Sequence, residues 1–267
     1  MSHLLCPACR APLTKGEKSF SCPKGHSFDI AKQGYVNLLL GGGKQHGDNA
    51  LMIKARGRFL SGGYYSPLAN ALTEAVSSRL KHDSALLDIG CGEGYYTAAL
   101  REALGKGGKI YAFDISKDAL KATAARHPNA TLFVASAYSV PIADESMDGV
   151  CLFFSPYARE EILRVLKKGG FFFMAIPDER HLLGLKRVLY DTPYLNRPER
   201  TEIEGFRLLS DIAVTDEITL PDVQTIQDLF SMTPYYYKTS PKDKEKLASL
   251  SSLQTEICFR LLVYEKL

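Results

Sequence analysis

The sequence predicts an α/β protein in which a doubly wound, mostly parallel sheet follows a small zinc-ribbon-like module. Two observations lead to this prediction. From residue 84 onward, short apolar strands alternate with helical segments, which is typical of a parallel sheet covered by helices. Before that point, three of the six cysteines lie within the first 22 residues. We therefore expect a zinc-binding module over residues 1–36, a linker with helices over 37–83, and the main domain over 84–267.

The composition excludes several classes of protein. The chain has 267 residues, of which 45% are hydrophobic and 24% are charged. These values are ordinary for a globular protein and exclude a disordered chain, a fibre and a disulfide-dense toxin. The longest apolar runs, such as residues 171–176, are far shorter than the ~20 residues of a membrane span. Because the first residues also show no signal peptide, we expect a cytoplasmic protein with no membrane partner.

Three cysteines and one histidine near the start have the spacing of zinc ligands. Cys6 and Cys9 form a Cys-x-x-Cys pair, and twelve residues separate Cys9 from a second pair, Cys22 and His26. Four protein ligands at tetrahedral corners make a zinc site structural rather than catalytic. A redox Cys-x-x-Cys would not need the second pair, and a disulfide would leave one of the three cysteines unpaired. A module of about 36 residues is too small for a core of its own, so we expect the metal to supply the folding energy.

The segment after the module predicts a linker and two helices. The glycine run Gly41–Lys44 predicts a flexible linker. An Asp-Asn pair at Asn49 suits the N-cap of a helix over residues 48–60. Pro67 suits the first turn of a second helix over residues 67–80.

The remaining elements alternate between strand and helix. Pro128 stops one of the helices, and the segment Lys167–Gly170 closes another before the next strand. Ligands of such a sheet are expected beyond the carboxyl ends of its strands. The predicted strands cover residues 85–89, 109–114, 131–135, 147–154 and 171–176, and the predicted helices cover residues 95–104, 117–127 and 158–166.

A glycine-rich loop ends the first of these strands and begins the next helix. The loop contains Gly90, Gly92 and a third glycine, with Asp88 before it and Glu93 inside it. Glycines allow the backbone to approach a ligand without an intervening Cβ. The next strand ends in Asp114, which is placed to accept hydrogen bonds from two ribose hydroxyls. The pattern therefore predicts a nucleotide-type ligand.

Two kinds of nucleotide ligand compete at this loop. A dinucleotide fold requires Gly-x-Gly-x-x-Gly and a pyrophosphate at the helix N-terminus. Asp88 and Glu93 would repel a pyrophosphate, whereas they suit a ligand with an ammonium and a sulfonium group. S-adenosylmethionine is that ligand, so the loop favours a methyltransferase over an NAD enzyme. A glycine-rich turn without a ligand is the third interpretation.

Two further segments at strand ends are candidate site residues. Ser136 follows the strand 131–135, where the adenine of the cofactor would lie, although it could equally cap the strand end. The strand 147–154 runs into a segment similar to the Asn-Pro-Pro-Tyr loop of amino-methylating enzymes, in which an aromatic ring stacks on a flipped base. A Pro-terminated core strand is the alternative interpretation of this segment. The candidate target-base residues are Phe154, Ser155, Pro156 and Tyr157.

The charges are distributed unevenly along the chain. Residues 1–58 contain nine Lys and Arg against three Asp and Glu, whereas residues 59–267 contain 24 against 27. A basic front segment on a mildly acidic body indicates a polyanionic partner for that segment. A solvated basic surface without a partner is the other interpretation.

A set of motifs runs along nearly the whole chain. The zinc-ligand pattern continues into Phe28-Asp-x-Ala-Lys-x-Gly-Tyr-Val-Asn-Leu38, and the glycine loop continues into Tyr-Tyr-Thr97. The other segments are Gly47-Asp48, Met52-x3-Arg56-x2-Phe59-Leu60-x2-Gly63-x-Tyr65-x-Pro67, Asp114-x-Ser116-Lys117, Arg180-His181-Leu182-x2-Leu185-Lys186 and Met232-Thr233-Pro234. Together they strongly resemble the bacterial 23S rRNA (guanine-N1)-methyltransferases, which have an N-terminal Cys3His zinc module and a class I S-adenosylmethionine-dependent methyltransferase domain.

The resemblance implies a reaction and a set of partners. A methyl group would pass from the sulfonium of S-adenosylmethionine to N1 of one guanine in a hairpin loop of 23S rRNA. The zinc module would help to hold the RNA, and the protein would be a homodimer. Residue by residue, the resemblance implies that Tyr65, Gly92, Glu93 and His181 contact the cofactor, and that the Cys3His set binds zinc.

Several alternatives stay open at this level. Tyr65 could be an aromatic residue that packs on the sheet edge, and His181 could be a polar residue that faces solvent at a helix start. A small-molecule methyltransferase of the quinone type, or a protein methyltransferase, would share the fold but would not need a basic zinc module. A non-enzymatic RNA-binding zinc protein would have no use for the loop 88–94 and Asp114. No residue is identified as the general base that removes the guanine N1 proton.

Overall fold

The computed structural model describes residues 3–41, 48–126, 128–197 and 201–267. The predicted linker Gly41–Lys44 lies outside the described residues except for Gly41, as does Gly47 of the Gly47-Asp48 motif. The front of the chain forms a three-stranded antiparallel sheet in the order β1-β2-β3. Its strands are β1 (Thr14–Lys15), β2 (Ser19–Ser21) and β3 (Ser27–Asp29).

The main sheet has eight strands in the order β4-β7-β6-β5-β8-β9-β11-β10. All neighbours from β4 to β9 are parallel, and β11 runs antiparallel to both β9 and β10, which confirms the predicted mostly parallel sheet. The strand order reverses between β5 and β8, where ligands of such sheets bind. The strands are β4 (Tyr35–Asn37), β5 (Ala85–Ile89), β6 (Lys109–Asp114), β7 (Thr131–Val134), β8 (Met147–Phe153), β9 (Leu166–Pro177), β10 (Phe206–Leu220) and β11 (Leu253–Lys266).

The described helices surround the main sheet and begin where the capping residues predict. Asn49 caps the first of them by accepting hydrogen bonds from the backbone N–H groups of Leu51 and Met52, and Pro67 lies in the first turn of the second. Among the described residues, no helix has both the length and the apolar character needed to span a bilayer. The helices are α1 (Ala50–Ser61), α2 (Ser66–Ser77), α3 (Tyr95–Leu104), α4 (Lys117–Ala125), α5 (Arg159–Val165), α6 (Leu183–Leu189), α7 (Val223–Ser231), α8 (Tyr235–Lys238) and α9 (Pro241–Ala248).

The predicted helix over 67–80 ends three residues early, at Ser77, and the predicted start of the strand 171–176 is wrong. The segment Lys167–Gly170 was expected to close a helix, but it belongs to β9, which begins at Leu166. The Leu166 side chain is fully buried, and the residue already pairs with Met147 of β8. Because the next pairs run from Phe171, the glycine-containing segment bulges out of the ladder instead of ending it.

The zinc-ligand module shares its hydrophobic core with the main sheet. Leu4, Leu13 and Phe20 are buried in one cluster with residues on one face of that sheet, including Phe113 of β6. The backbone N–H of Leu5 donates to the carbonyl of Pro141, 2.9 Å away, in the helix-free connection between β7 and β8. The module therefore packs on one face of the main sheet, in the same buried cluster as residues of α5. The module is too small to form a hydrophobic core alone, but its apolar side chains are buried against the main sheet.

The chain leaves this module directly into the sheet. β4 pairs in parallel with β7 and forms the edge of the main sheet. The expected boundary between residues 36 and 37 falls inside β4. The division of the chain into three domains stays a prediction, since the shared buried cluster and the pairing of β4 with β7 join the front of the chain to the main sheet.

Candidate active site and metal centre

The four predicted zinc ligands lie together at one end of the small sheet. The Sγ atom of Cys6 is 3.5 Å from Nδ1 of His26, that of Cys22 is 3.4 Å from the same nitrogen, and that of Cys9 is 3.7 Å from Cys22 Sγ. All four ligand atoms lie within 4.8 Å of one another. Tetrahedral Zn²⁺ with Zn–S bonds of about 2.3 Å places two sulfurs about 3.8 Å apart and a sulfur and nitrogen about 3.6 Å apart. The residues therefore fit zinc, and the predicted ligand set is confirmed as a cluster.

Local backbone geometry prepares the Cys22 thiol for a metal. Gly25 has a φ of 86°, and its N–H donates to the carbonyl of Cys22, so the second knuckle turns tightly around the ligands. Burial raises the pKa of the Cys22 thiol, but backbone N–H groups of His26 and Lys24 outweigh it and lower that pKa to about 6. A thiolate is the form that binds zinc.

The glycine loop contains three residues in the left-handed region, and they serve different purposes. Gly90, Gly92 and Gly94 have φ values of 68°, 57° and 84°. A Cβ on Gly90 would lie 2.1 Å from the Ser155 hydroxyl, and a Cβ on Gly94 would lie 2.7 Å from the Thr123 methyl. These two glycines therefore permit close packing within the protein. A Cβ on Gly92 would meet only an arginine atom at 3.6 Å, so this position leaves room for a ligand.

Asp114 is held beside the glycine loop, as the sequence predicts. One carboxylate oxygen accepts from the N–H of Gly92 at 3.0 Å, and the other accepts from the N–H of Ser116 at 2.8 Å. Burial raises the pKa of Asp114, and these two donors oppose the rise. Each oxygen keeps a further lone pair, so the carboxylate can still accept from two ribose hydroxyls.

Two more carboxylates lie under the same loop. Asp88 is 1% exposed and accepts a hydrogen bond of 2.6 Å from the Thr97 hydroxyl. Burial raises the pKa of Asp88 to about 7, and the negative charges of Asp114 and Glu93 add to that rise. Burial also raises the pKa of Glu93, whose carboxylate lies 3.8 Å from Arg126. A cationic ligand would relieve this crowding of negative charge, which fits the ammonium and sulfonium groups of S-adenosylmethionine.

Asp48, which precedes α1, and Arg56 in the middle of α1 lie beside the glycine loop. The guanidinium of Arg56 is 2.5 Å from the Asp48 carboxylate, and its Nη1 atom lies 3.6 Å from a Cβ built on Gly92. The Ser116 hydroxyl donates to the Asp48 carbonyl at 3.1 Å, which ties this segment to the end of β6. Arg56 also opposes the rise in the pKa of Glu93. Sequence reasoning missed Arg56 as a site residue, although it belongs to the motif around Tyr65.

The centroids of the Tyr65 and His181 rings lie 6.0 Å apart. Both side chains contact Phe259 of β11, with ring centroids 4.9 Å and 4.3 Å away. His181 is buried, so the interpretation as a solvent-facing residue is wrong. Its Nδ1 accepts from the N–H of Cys258 at 3.2 Å, which leaves the proton of a neutral ring on Nε2. Burial lowers the pKa of His181 to about 3, and Lys186 adds to this, so the ring is neutral at pH 7.

The Tyr96 hydroxyl provides an independent indication of a ligand. Among the described residues, it is the one buried side-chain polar atom without a hydrogen-bond partner. Its ring lies 4.9 Å from Phe153 and 6.5 Å from Phe154, at the end of β8. An unsatisfied buried hydroxyl costs roughly 1–3 kcal/mol, which a bound ligand would recover. Sequence analysis did not single out Tyr96, and an aromatic residue at a helix start carries no signal of this kind.

The candidate target-base loop follows β8 and touches the glycine loop through Ser155. Phe154 has a φ of 57° and is 53% exposed. A bulky residue in this region is strained, and such strain concentrates at functional sites. Phe154 therefore does not continue the core strand, whereas Tyr157 stacks on Phe172 with a centroid distance of 6.2 Å. Pro156 separates the two aromatic residues.

Ser136 has a structural role in the described conformation. Its hydroxyl accepts from the N–H of Tyr138 at 3.2 Å and so closes the turn after β7. This contact agrees with the strand-end cap, and the adenine contact stays a prediction.

Comparisons with known proteins cover both parts of the chain. A family profile described as "RlmA, N-terminal" matches residues 4–44, and a profile described as "Methyltransferase domain" matches residues 86–170. A 23S rRNA (guanine(748)-N(1))-methyltransferase of Streptomyces fradiae is 34% identical over 195 residues, which are 70% of this chain and 69% of that protein. A Bacillus subtilis protein provisionally named a 23S rRNA (guanine-N1)-methyltransferase is 30% identical over 264 residues, or 92% of this chain and 90% of that protein.

A solved structure agrees in fold. The S-adenosylmethionine-dependent methyltransferase from Aquifex aeolicus superposes with a TM-score of 0.50 at 16% identity, over 82% of this chain and all of that chain. At this identity the likeness shows only the class I methyltransferase fold. The two relatives, the matched profiles and the clustered Cys3His ligands together show that the chain belongs to the RlmA-type family of S-adenosylmethionine-dependent 23S rRNA guanine-N1 methyltransferases.

Proposed function

We propose that the chain transfers a methyl group from S-adenosylmethionine to N1 of one guanine in a hairpin loop of 23S rRNA. The observation that carries this proposal is the contact between Ser155 and Gly90, because it joins the candidate target-base loop to the cofactor loop. A ring stacked on Phe154 would then lie next to the cofactor. When bound, S-adenosylmethionine supplies an electrophilic methyl group on a positively charged sulfur.

Different residues in and around the glycine loop would bind different chemical groups of S-adenosylmethionine. Asp114 accepts from the ribose hydroxyls, and Glu93 attracts the ammonium, with Asp88 adding negative charge from below. Arg56 is the cation beside Gly92 and is placed for the carboxylate of the methionine part. Tyr65 and the neutral His181 line the same side of the site.

The guanine must lose its N1 proton before or during attack, and negative charge then spreads to O6. Burial raises the pKa of Tyr96 well above its ordinary value, so this hydroxyl is a hydrogen-bond donor and not a base. A Tyr96 donor at O6 would stabilise the charge that develops there. Bringing the methyl group and N1 together supplies the rest of the acceleration, and a guanine in a loop is unpaired at little cost.

Primer extension on 23S rRNA tests the proposal. A methyl group on N1 blocks base pairing, so reverse transcriptase stops at the modified guanine. We expect a stop in rRNA from the parent strain, its loss in a deletion strain, and its return with the chain but not with Asp114→Ala. A deletion strain that keeps every stop would contradict the proposal and would favour a small-molecule or protein substrate.

The partners implied by the family are part of the same proposal. We place the enzyme in the cytoplasm, with its rRNA substrate, and expect a homodimer that light scattering would detect. Lys15, Lys18 and Lys24 are exposed on the zinc module and would contact phosphates. Replacing all three with Glu should weaken RNA binding and flatten its dependence on salt. Equal salt slopes in filter binding would place the RNA surface elsewhere.

A further inference from the structure

Five tyrosines from two separate segments form one surface beside the cofactor site. Tyr190 and Tyr194 follow α6 with their rings 5.6 Å apart, and Tyr236 and Tyr237 of α8 meet at right angles at 5.4 Å. The Lys186 ammonium joins the two segments, since it lies 4.6 Å from the Tyr194 ring and 5.4 Å from the Tyr235 ring. We call these five side chains the tyrosine surface.

The tyrosine surface exposes ring area that the fold does not use. None of the residues of α8 is buried. Tyr237 is 70% exposed, Tyr194 is 47% exposed and Tyr236 is 37% exposed. Single exposed tyrosines are common, but a contiguous exposed set of aromatic rings marks a place where another molecule binds.

The rings are held in fixed positions from below. The Lys186 ammonium donates to the Asn196 side-chain oxygen at 2.6 Å and to the Tyr194 carbonyl at 3.2 Å. The Tyr190 hydroxyl lies 3.1 Å from the Thr239 hydroxyl, and the Tyr237 hydroxyl lies 2.9 Å from the Met52 sulfur. Little side-chain entropy would be lost when a ligand binds such a preorganised surface.

Cations outnumber carboxylates under and around the surface, where Asp191 and Asp243 both pair with Lys246. Lys186 is fully buried, and within the described ranges no carboxylate forms an ion pair with it. Lys244 lies 4.3 Å from the centroid of the Tyr236 ring, and Lys238 and Lys242 lie between these two residues in the sequence. Aromatic rings interleaved with cations are typical of surfaces that bind single-stranded nucleic acid.

The tyrosine surface is continuous with the active site. The Asn196 amide that lies beside it donates to the His181 carbonyl at 3.4 Å. Tyr237 contacts Met52 of α1, one turn before Arg56 at the glycine loop. An RNA strand that leaves the target-base loop therefore reaches these tyrosines without crossing the zinc module.

We propose that the tyrosine surface binds unpaired nucleotides of the rRNA substrate next to the target guanine, by stacking their bases on Tyr194, Tyr236 and Tyr237. Lys238, Lys242 and Lys244 contact the adjoining phosphates. The proposal rests on the proposed function and extends it. It assigns most of the contacts with RNA bases to the methyltransferase domain rather than to the zinc module. A second copy of the chain is the competing occupant.

The test uses the full zinc-loaded chain and 23S rRNA transcribed in vitro. We expect Tyr237→Ala and Tyr236→Ala each to weaken RNA binding roughly 5- to 150-fold, as loss of a stacked base does. The dependence of affinity on salt should not change, because no phosphate contact is lost, whereas Lys244→Ala should reduce that slope by about 1. Tyr237→Phe should retain most of the affinity. Binding of S-adenosylmethionine should be unchanged in all of them.

Tyr138→Ala is the matched control, because Tyr138 is 68% exposed and lies on the turn after β7, away from the tyrosine surface. Equal losses for Tyr138→Ala and Tyr237→Ala, or full RNA affinity of the α8 variants, would overturn the proposal. It would also be overturned if these variants became monomeric in light scattering while the monomer kept its RNA affinity. If rRNA methylation persists in those cases, the proposed function stands and only the surface is wrong. If the parent neither binds nor methylates rRNA, both fail.

Discussion

Replacing Gly90 with alanine tests the contact on which the active-site geometry depends. Gly90 has a φ of 68°, and a Cβ built on it would lie 2.1 Å from Oγ and 2.6 Å from Cβ of Ser155. The nearest backbone atom, Ser155 Cα, is 3.9 Å away, which is an ordinary van der Waals distance. The clash therefore comes entirely from the serine side chain.

Two separate terms contribute to the expected loss of stability. A left-handed alanine costs roughly 1–2 kcal/mol relative to glycine. Forcing an extra methyl group into a filled site adds about 1–3 kcal/mol. Gly90→Ala should therefore lower the free energy of unfolding by about 2–5 kcal/mol. A second change, Ser155→Gly, removes the clash. It should recover the steric cost of about 1–3 kcal/mol but not the cost of the left-handed alanine.

The assay is a double-mutant cycle of four proteins, measured by urea unfolding with zinc present. The parent, Gly90→Ala, Ser155→Gly and the double variant should give a coupling energy of about 1–3 kcal/mol, with the double variant more stable than Gly90→Ala. Calorimetric titration with S-adenosylmethionine should show the same order of affinities, because the displaced loop carries the cofactor contacts. Effects that add to within about 0.5 kcal/mol would refute the contact between the two loops.

Three other predictions concern the metal, the ribose and a buried histidine. Cys22→Ala should lose zinc by elemental analysis and lower the unfolding midpoint of the whole chain, because the module shares its core with the sheet; a variant that keeps one zinc per chain would contradict this. Asp114→Ala should weaken S-adenosylmethionine binding by ~1.5–3 kcal/mol in calorimetry, whereas Asp118→Ala, which removes a half-exposed carboxylate in the first turn of α4, should not; equal affinities would remove Asp114 from the site. The pKa of His181 is about 3 in the fold and 6.5 when unfolded, so the unfolded chain binds its proton first and the unfolding free energy falls as pH decreases from 6.5 to 3. His181→Gln should flatten that part of the pH profile in urea unfolding, and an unchanged profile would show that the ring is not buried neutral.

Much of this protein can be predicted from the sequence because the signals are local. The four zinc ligands lie within 21 consecutive residues, and their spacing alone fixes which atoms can meet around a metal. The strands and helices between residues 85 and 154 follow from apolar runs, glycines and caps a few residues apart. Asp114 meets Gly92 because one strand–helix–strand unit brings their strands side by side.

The tertiary structure alone decided which distant segments meet. The sequence contains no sign that Leu4, Leu13 and Phe20 cover the main sheet, or that Leu166 begins β9 before the glycine pair. Tyr65 and His181 come together because both pack on Phe259. In the sequence, Phe259 is indistinguishable from any other apolar residue of a buried strand.

The same reason holds at the two surfaces where ligands are expected. The unpartnered Tyr96 hydroxyl, the contact of Ser155 with Gly90 and the joining of two tyrosine segments by Lys186 all depend on side-chain shape across long sequence separations. Hydrophobic periodicity and capping act over a few residues, so they determine elements. Packing depends on many side chains that are close in space but distant in sequence. The site is therefore formed only when the chain has folded.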